Sequence, residues 1–409
     1  MLRAAGAAIL LALFVAGPAS ADEISLTYAQ ALERAARLAP DIAVARAAEN
    51  VAIAEAGIAG LWPNPSLSAA TSTQTAKLSV GVSVPLLLLG QRGAAIAAGQ
   101  ADVATTRLDT QMATADVRAE VAHAFVGLWR AQATALERAR AATVSRRLEE
   151  AVRGRVELGA APDVDGLRAR AELLRADSEA QQTAQLVGAA ASGLARWLAL
   201  DTRAIRAEGD PTVPGALAPL EDLRARLEQS PVLRRERAAA HAAEMRAERE
   251  RALARPVINA DFGFDAWDPT LCAGSAPCDN PPVNYRGGLS LEVPILHQRG
   301  PYVDRERALA AAARAREGAE RARLLAALTT EYRICEAWSA SARTLADGVV
   351  PAADAAASAT EESYQLGRAP LIAVLEAEKA RIDARLALLD ARSQQADAWI
   401  EVERATGAQ

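Results

Sequence analysis

The 409 residues carry 51 acidic and 46 basic side chains and a formal net charge of −5, a balance that argues against nucleic acid as a partner. Aromatic residues are only 4% of the chain. That is few for a compact globular core, whereas abundant alanine suits long, closely packed helices. Beyond residue 21 no run of ~18 apolar residues occurs, so any membrane-spanning part must be built from strands.

Residues 1–21 read as a signal peptide: Arg3 is the charged start, residues 4–16 the apolar stretch, and Ala19-Ser20-Ala21 the small-residue cleavage site. The run is too short for a membrane anchor. The mature chain is expected to begin near Asp22, outside the cytoplasm, and no cysteine follows the cleavage site to carry a lipid. Residues 27–38 predict a short amphipathic helix that Pro40 breaks. Asp41 is expected to cap a second helix to about Leu61, ended by Trp62-Pro63-Asn64-Pro65.

Residues 66–75 are rich in Ser and Thr. Then Leu78, Val80, Val82 and Val84 alternate with Ser79, Gly81 and Ser83, so the region predicts a pair of strands. From about 94 to 157 no strong helix breaker appears, and a helix of that length reaches ~90 Å. Gly159 suits a left-handed C-cap, with Pro162 shortly after, and a returning helix is predicted over 163–200. Residues 201–219, with Pro211, Pro214 and Gly215, read as a connector.

The second half repeats this succession. Gln229-Ser230-Pro231 answers Leu38-Ala39-Pro40, 191 positions on, and Pro256 answers Pro65. Ile258, Ala260, Phe262, Phe264 and Ala266 alternate with Asn259, Asp261, Gly263 and Asp265. After a loop, Tyr285, Gly287, Leu289, Leu291 and Val293 alternate with Arg286, Gly288, Ser290 and Glu292. About ten residues with one apolar and one polar face match a transmembrane barrel strand. A long helix over 302–365, interrupted only by Pro351, ends at Gly367 before Pro370. A last helix over 371–406 carries Leu375, Ile382, Leu389 and Ala396 at seven-residue spacing, with Leu371, Leu386 and Ile400 flanking, a coiled-coil seam. The organisation is therefore a signal peptide (1–21), a first structural repeat (22–200), a connector (201–219) and a second repeat (220–409). The unit is too long for a solenoid. Four strands cannot close a barrel and an open edge is forbidden in lipid, so strands must be pooled in a ring of identical chains.

Four motifs in order, Leu26-Thr27-Tyr28-Ala29-Gln30-Ala31-Leu32, Trp62-Pro63-Asn64-Pro65, Val84-Pro85 with Gly90-Gln91-Arg92, and Tyr364-Gln365-Leu366-Gly367 with Val374-Leu375-Glu376-Ala377, resemble the TolC family of outer-membrane efflux channels over essentially all of residues 22–409. The resemblance implies a mainly α fold with membrane β-strands: a homotrimer with an α-helical barrel in the periplasm and a shared 12-stranded β-barrel, two β-hairpins per chain, in the outer membrane of a Gram-negative bacterium. It implies passive conduction to the exterior from an inner-membrane pump and a periplasmic adaptor. The Asn-Pro and Gly-Gln-Arg motifs look most like the branch that serves heavy-metal cation exporters; multidrug or type I secretion ducts share most of the pattern.

The family closes its periplasmic end with a Tyr three residues before the tip Gly and acids six and nine after it. Tyr364 and Glu376 fit the Tyr and the second acid, but Ala373 stands at the first. In the first half Asp165 stands six after Gly159 and Arg168 nine after. The resemblance thus implies a periplasmic gate of Tyr364, Glu376 and Asp165, in which a ring of Glu376 carboxylates attracts cations; an ordinary exposed helix charge is the plainer reading. It also makes the tips at Leu158, Gly159, Leu366 and Gly367 the docking surface for the adaptor. In a barrel, Val80, Val82, Phe262, Phe264, Leu289 and Leu291 would face outer-membrane lipid.

Cys272 and Cys278 bracket five residues between the second pair of strands. In an oxidising compartment a local disulfide is one reading; a metal site with Asp268 and Asp279 is the other, though no His accompanies them. Cys335 reads as a buried apolar residue. His123, His241 and His297 are scattered, and Gly90-Gln91-Arg92-Gly93 lacks the phosphate-loop spacing. No catalytic constellation, cofactor motif or metal signature emerges, which disfavours a secreted enzyme. A periplasmic coiled-coil adaptor would explain the helices but not two amphipathic hairpins.

Overall fold

The computed structural model describes residues 24–71, 78–200, 205–211, 217–266, 283–407. The expected signal peptide and Cys272 and Cys278 lie outside the described residues. The elements run β1 (Ile24–Thr27), α1 (Tyr28–Leu38), α2 (Pro40–Ala59), β2 (Ser66–Ala70), β3 (Leu78–Leu86), α3 (Gln91–Glu157), α4 (Asp163–Trp197), β4 (Ile205–Glu208), α5 (Leu220–Leu227), α6 (Pro231–Leu253), β5 (Val257–Ala266), β6 (Val283–Glu292), α7 (Gly300–Thr344), a π-turn (Leu345–Val349), α8 (Val350–Gln365) and α9 (Leu371–Thr406). No described helix is long and apolar enough to cross a membrane.

The chain forms two compact units, each drawing on both halves of the sequence. One holds residues 24–33, 124–212 and 345–390. Here β1 pairs in parallel with β4, Ile24 opposite Ile205 through Thr27 opposite Glu208. Neither strand was read from the sequence: β1 takes in Thr27, so the helix begins at Tyr28 and not at Thr27, and β4 lies within the connector. Both strands are four residues long, too short for alternation to register. The Ala207 amide donates to Gln132 Oε1 at 3.2 Å, and Trp129 Nε1 donates to Asp210 at 3.1 Å. The ring of Phe125, fully buried, meets Tyr28 edge-on at 5.5 Å.

The other unit holds residues 34–123, 213–344 and 391–407 of the described chain. Its sheet has the order β2-β3-β5-β6, antiparallel throughout. Its core packs Leu223 and Leu227 of α5 and Leu233 of α6 against Leu328 and Tyr332 of α7 and Val402 of α9. Asp41 is not the cap of α2. Pro40 occupies the first helical turn and extended Ala39 is the N-cap, leaving Asp41 in the first turn, where its charge complements the helix dipole. The matching position in the second half does have a side-chain cap: Ser230 Oγ accepts from the Leu233 amide at 3.4 Å.

Pro351 interrupts the second long helix in a specific way. Proline lacks the amide that would bond to the carbonyl of Asp347, and its ring crowds that carbonyl. The helix widens into the π-turn before α8 resumes with Pro351 in its first turn. A π-turn accommodates one extra residue. Counting between matching glycines, Gly93 to Gly159 spans 159 − 93 = 66 steps and Gly300 to Gly367 spans 367 − 300 = 67. The span between the glycines is longer by one residue in the second half, and the π-turn is where that residue fits.

Candidate functional site

The register of the four-stranded sheet sorts its residues onto two faces. Val80 lies opposite Phe264, which lies opposite Tyr285; Val82 lies opposite Phe262; Ala260 lies opposite Leu289 and Ile258 opposite Leu291. All six strand residues singled out in the sequence therefore share one apolar face. The other face pairs Ser79 with Asp265 and Ser83 with Asp261. There Asp265 accepts from Ser79 Oγ at 2.7 Å and ion-pairs with Arg286 at 3.1 Å, and Asp261 accepts from Ser290 Oγ at 2.7 Å. Within the chain, β2 and β6 are the two outer strands of the sheet.

The sequence motifs beside the hairpins join the sheet to the helices. Gln91, almost fully buried, accepts from the Leu89 amide at 3.0 Å and donates to the Pro256 carbonyl at 3.0 Å, tying the start of α3 to the start of β5. Arg92 donates to the Gly60 carbonyl at 2.7 Å and lies over the Trp62 ring at 5.5 Å. Its counterpart Arg299 lies over Tyr302 at 4.8 Å and binds Glu250 at 2.5 Å. Glu250 is buried. Burial raises its pKa, but the hydrogen bonds from Arg299 and Arg249 outweigh that and the net shift is downward.

At the helix tips the two halves adopt the same cap. Gly159 (φ 69°) and Gly367 (φ 73°) are left-handed. The amide of each donates to the carbonyl three residues before it, Val156 or Tyr364, while the Ala160 amide donates to the Arg155 carbonyl and the Arg368 amide to that of Ser363, the Schellman pattern. Leu158 and Leu366 stand exposed beside the glycines. Tyr364 packs with Val152, Ala169, Leu371 and Val374, and the Arg155 guanidinium covers its ring at 4.8 Å. Asp165 lies 3.8 Å from Arg168, and Glu376 is exposed. Among the described residues no hydrogen bond or ion pair joins Tyr364, Asp165 and Glu376 within the chain.

Two charged clusters had no sequence signal. Glu378, two residues past Glu376, is buried, and burial raises its pKa. Arg381 lies 2.5 Å away but off hydrogen-bond geometry, leaving both carboxylate oxygens without hydrogen bonds. His123 of α3 sits between Asp397, 2.8 Å from Nδ1, and Glu401, 2.9 Å from Nε2, one turn apart on α9. Hydrogen bonds to Asp397 and then Glu401 raise its pKa from 6.5 to about 9, so the imidazolium donates from both nitrogens. A folded pKa above the unfolded one stabilises fully below about 6.5, and the contribution is lost as pH rises through about 9. The difference in thermal stability between the parent and His123→Gln is therefore expected to be greatest near pH 6 and to fade by pH 10. A difference independent of pH would assign His123 a packing role instead.

Residues 223–408 match the family described as outer membrane efflux protein. The cobalt-zinc-cadmium resistance protein CzcC of Cupriavidus metallidurans is 27% identical over 379 residues, covering 88% of this chain and 85% of CzcC. The outer membrane protein VceC of Vibrio cholerae superposes with a TM-score of 0.73 at 16% identity, over 93% of this chain and 96% of VceC. CusC, described with transmembrane channel formation, superposes with a TM-score of 0.70 at 16% identity, over 93% of this chain and 92% of CusC. The fold is that of these solved structures, mainly α with a smaller set of β-strands.

Proposed function

We propose that three copies of the channel pool their strands into one barrel and conduct heavy-metal cations passively out of the cell. In this reading an inner-membrane pump supplies the energy and a periplasmic adaptor joins pump to channel. The carrying observation is the sheet, with one face apolar across four strands and an outer strand at each side. Such a sheet is stable in hydrocarbon only once its edges are paired. The cation cargo is supported by the likeness to CzcC, named for cobalt, zinc and cadmium resistance. The exposed Leu158 and Leu366 beside rigid glycine caps suit the adaptor contact, and Glu376, Tyr364 and Asp165 are the proposed gate. The two structural repeats, 22–200 and 220–409, each supply one hairpin.

The deciding experiment deletes the gene and measures growth across zinc, cobalt, cadmium, nickel, copper and silver salts beside antibiotics and detergents. Selective metal sensitivity, restored by the intact gene and altered by Glu376→Ala, is the expected result. Sensitivity mainly to antibiotics or detergents would overturn the metal cargo in favour of a drug-efflux duct.

A further inference from the structure

Helix α9 ends against the start of α6. A Cβ on left-handed Gly407 would lie 2.6 Å from the Pro231 ring, so the two helix ends nearly touch. Two long helices run past this joint. Helix α3 holds it through Asp116 with Arg404 at 2.8 Å and through Asp109 with Arg235 at 2.9 Å. Helix α7 holds it through Leu328 and Tyr332, packed with Leu233 and Val402, and through Glu317 with Arg237 at 2.8 Å. Where two helix ends stand in place of one continuous helix a gap remains, and here it is a cavity of about 430 Å³ within one unit of the chain. Cavities of roughly 300–1,000 Å³ between helices, mostly apolar with a few placed polar groups, are where small ligands bind.

The lining combines an apolar wall with a surplus of acid. Met112 of α3, Val232 of α6 and Leu324 and Ala327 of α7 supply the wall. Asp116, Glu236, Glu320, Glu331 and Glu401 set five carboxylates against the guanidiniums of Arg323 and Arg404. Both guanidiniums are already paired. Arg404 binds Asp116 and lies 3.7 Å from Glu401, and Arg323 lies 3.3 Å from Glu320. Two carboxylates are left wanting a cation. Glu236 is 7% exposed; its Oε1 accepts from Arg235 at 2.6 Å, while its Oε2 is shielded, has no hydrogen bond and lies 3.9 Å from Arg316. Glu331, partly buried, forms no hydrogen bond or ion pair among the described residues. Burial, and then the charge of Glu401, raise its pKa. A carboxylate held from water without a partner is costly, and a cation beside it relieves the cost.

We propose that this cavity binds a small organic cation, a protonated amine on a compact apolar body, with the ammonium at Glu331 and the body against Met112, Val232 and Leu324. The Glu236 carboxylate adds a second negative charge to the same cavity. The surplus of acid selects a cation over a neutral molecule or an anion. The apolar wall selects an organic cation over a bare metal ion. Zinc takes three or four protein ligands, and among the described residues no group of three His, Cys, Asp or Glu side chains is placed to hold a metal. The site is built from one chain, so it is independent of how copies assemble and of which cargo they pass.

The test titrates the full-length protein in detergent with adamantylammonium, adamantanol and adamantanecarboxylate, which share one shape and differ in charge, and follows binding by calorimetry. The ammonium is expected to bind best, the alcohol about ten-fold or more weakly, and the carboxylate without saturation, since a hydrogen bond to a charged group is worth about that factor. Glu331→Gln keeps the size of the side chain and should weaken the ammonium about ten-fold while leaving the alcohol unchanged. Ala327→Phe fills the cavity from an exposed position and should block the ammonium and the alcohol alike; it serves as the second variant should the Gln substitution disturb folding. Equal affinity for ammonium and alcohol, parent-like ammonium binding by Glu331→Gln, or ammonium binding unaffected by Ala327→Phe overturns the assignment. Displacement of the ammonium by stoichiometric zinc also overturns it and makes the cavity a metal site.

Discussion

Phe262→Arg is expected to remove the channel from the outer membrane. Phe262 lies on the apolar face opposite Val82, near the middle of β5. A guanidinium placed there on a lipid-facing strand costs about 2–4 kcal/mol at the bilayer midplane. In the proposed three-copy barrel the cost falls three times over, roughly 6–12 kcal/mol, comparable to an ordinary stability margin of about 5–15 kcal/mol. Phe262→Leu keeps the face apolar and should assemble. The measurement is the amount of trimer in the outer-membrane fraction. Parent-like yield for the Arg variant would mean that the face carrying Val80, Phe264, Leu289 and Leu291 does not meet lipid.

Phe125→Ala is expected to have the largest effect away from the sheet. The ring is fully buried beneath Tyr28, which opens α1. Truncating such a ring typically costs about 3–5 kcal/mol, part of it for the cavity left behind. Heating the detergent-solubilised variant should lose helical circular dichroism well below the parent. Phe125→Leu, which leaves a smaller void, should recover most of the difference. An unchanged transition for the Ala variant would show that the surroundings collapse into the space and that the Tyr28 contact does not anchor α1.

The sequence exposed what is periodic and concealed what is brief or distant. The last helix has the bounds expected from its heptads, Leu371–Thr406, because that signal accumulates over many turns. The faces of β5 and β6 were visible because alternation ran for ten residues in each. The β1–β4 pair was not, since two four-residue strands separated by most of the first half leave no local pattern. Pro40 was correctly a boundary, but the cap moved to Ala39 because proline is as well suited to a first turn as to a break. At the candidate sites, Gln91 and Arg92 stood out as a motif; Pro256 stood out only as the counterpart of Pro65, and Gly60 not at all, so neither contact was legible. His123 showed nothing in sequence, because Asp397 and Glu401 lie 274 and 278 positions away. Its clasp exists only once α3 and α9 are side by side.

The π-turn at Leu345–Val349 has a consequence for the history of the chain. The duplicated halves do not keep a constant offset. Gly93 and Gly300 match at 300 − 93 = 207, and Gly159 and Gly367 match at 367 − 159 = 208. A single codon gained in the second copy accounts for the change, and the π-turn confines its imprint to one place instead of rotating every later side chain by a quarter of a turn or more. Below that point Asp165 corresponds to Ala373, and Arg168 to Glu376. The two tips thus diverged in charge while their caps stayed superimposable. A chimera that exchanges one tip for the other must change its numbering offset at residues 345–349, or it will present the wrong residues along the whole returning helix.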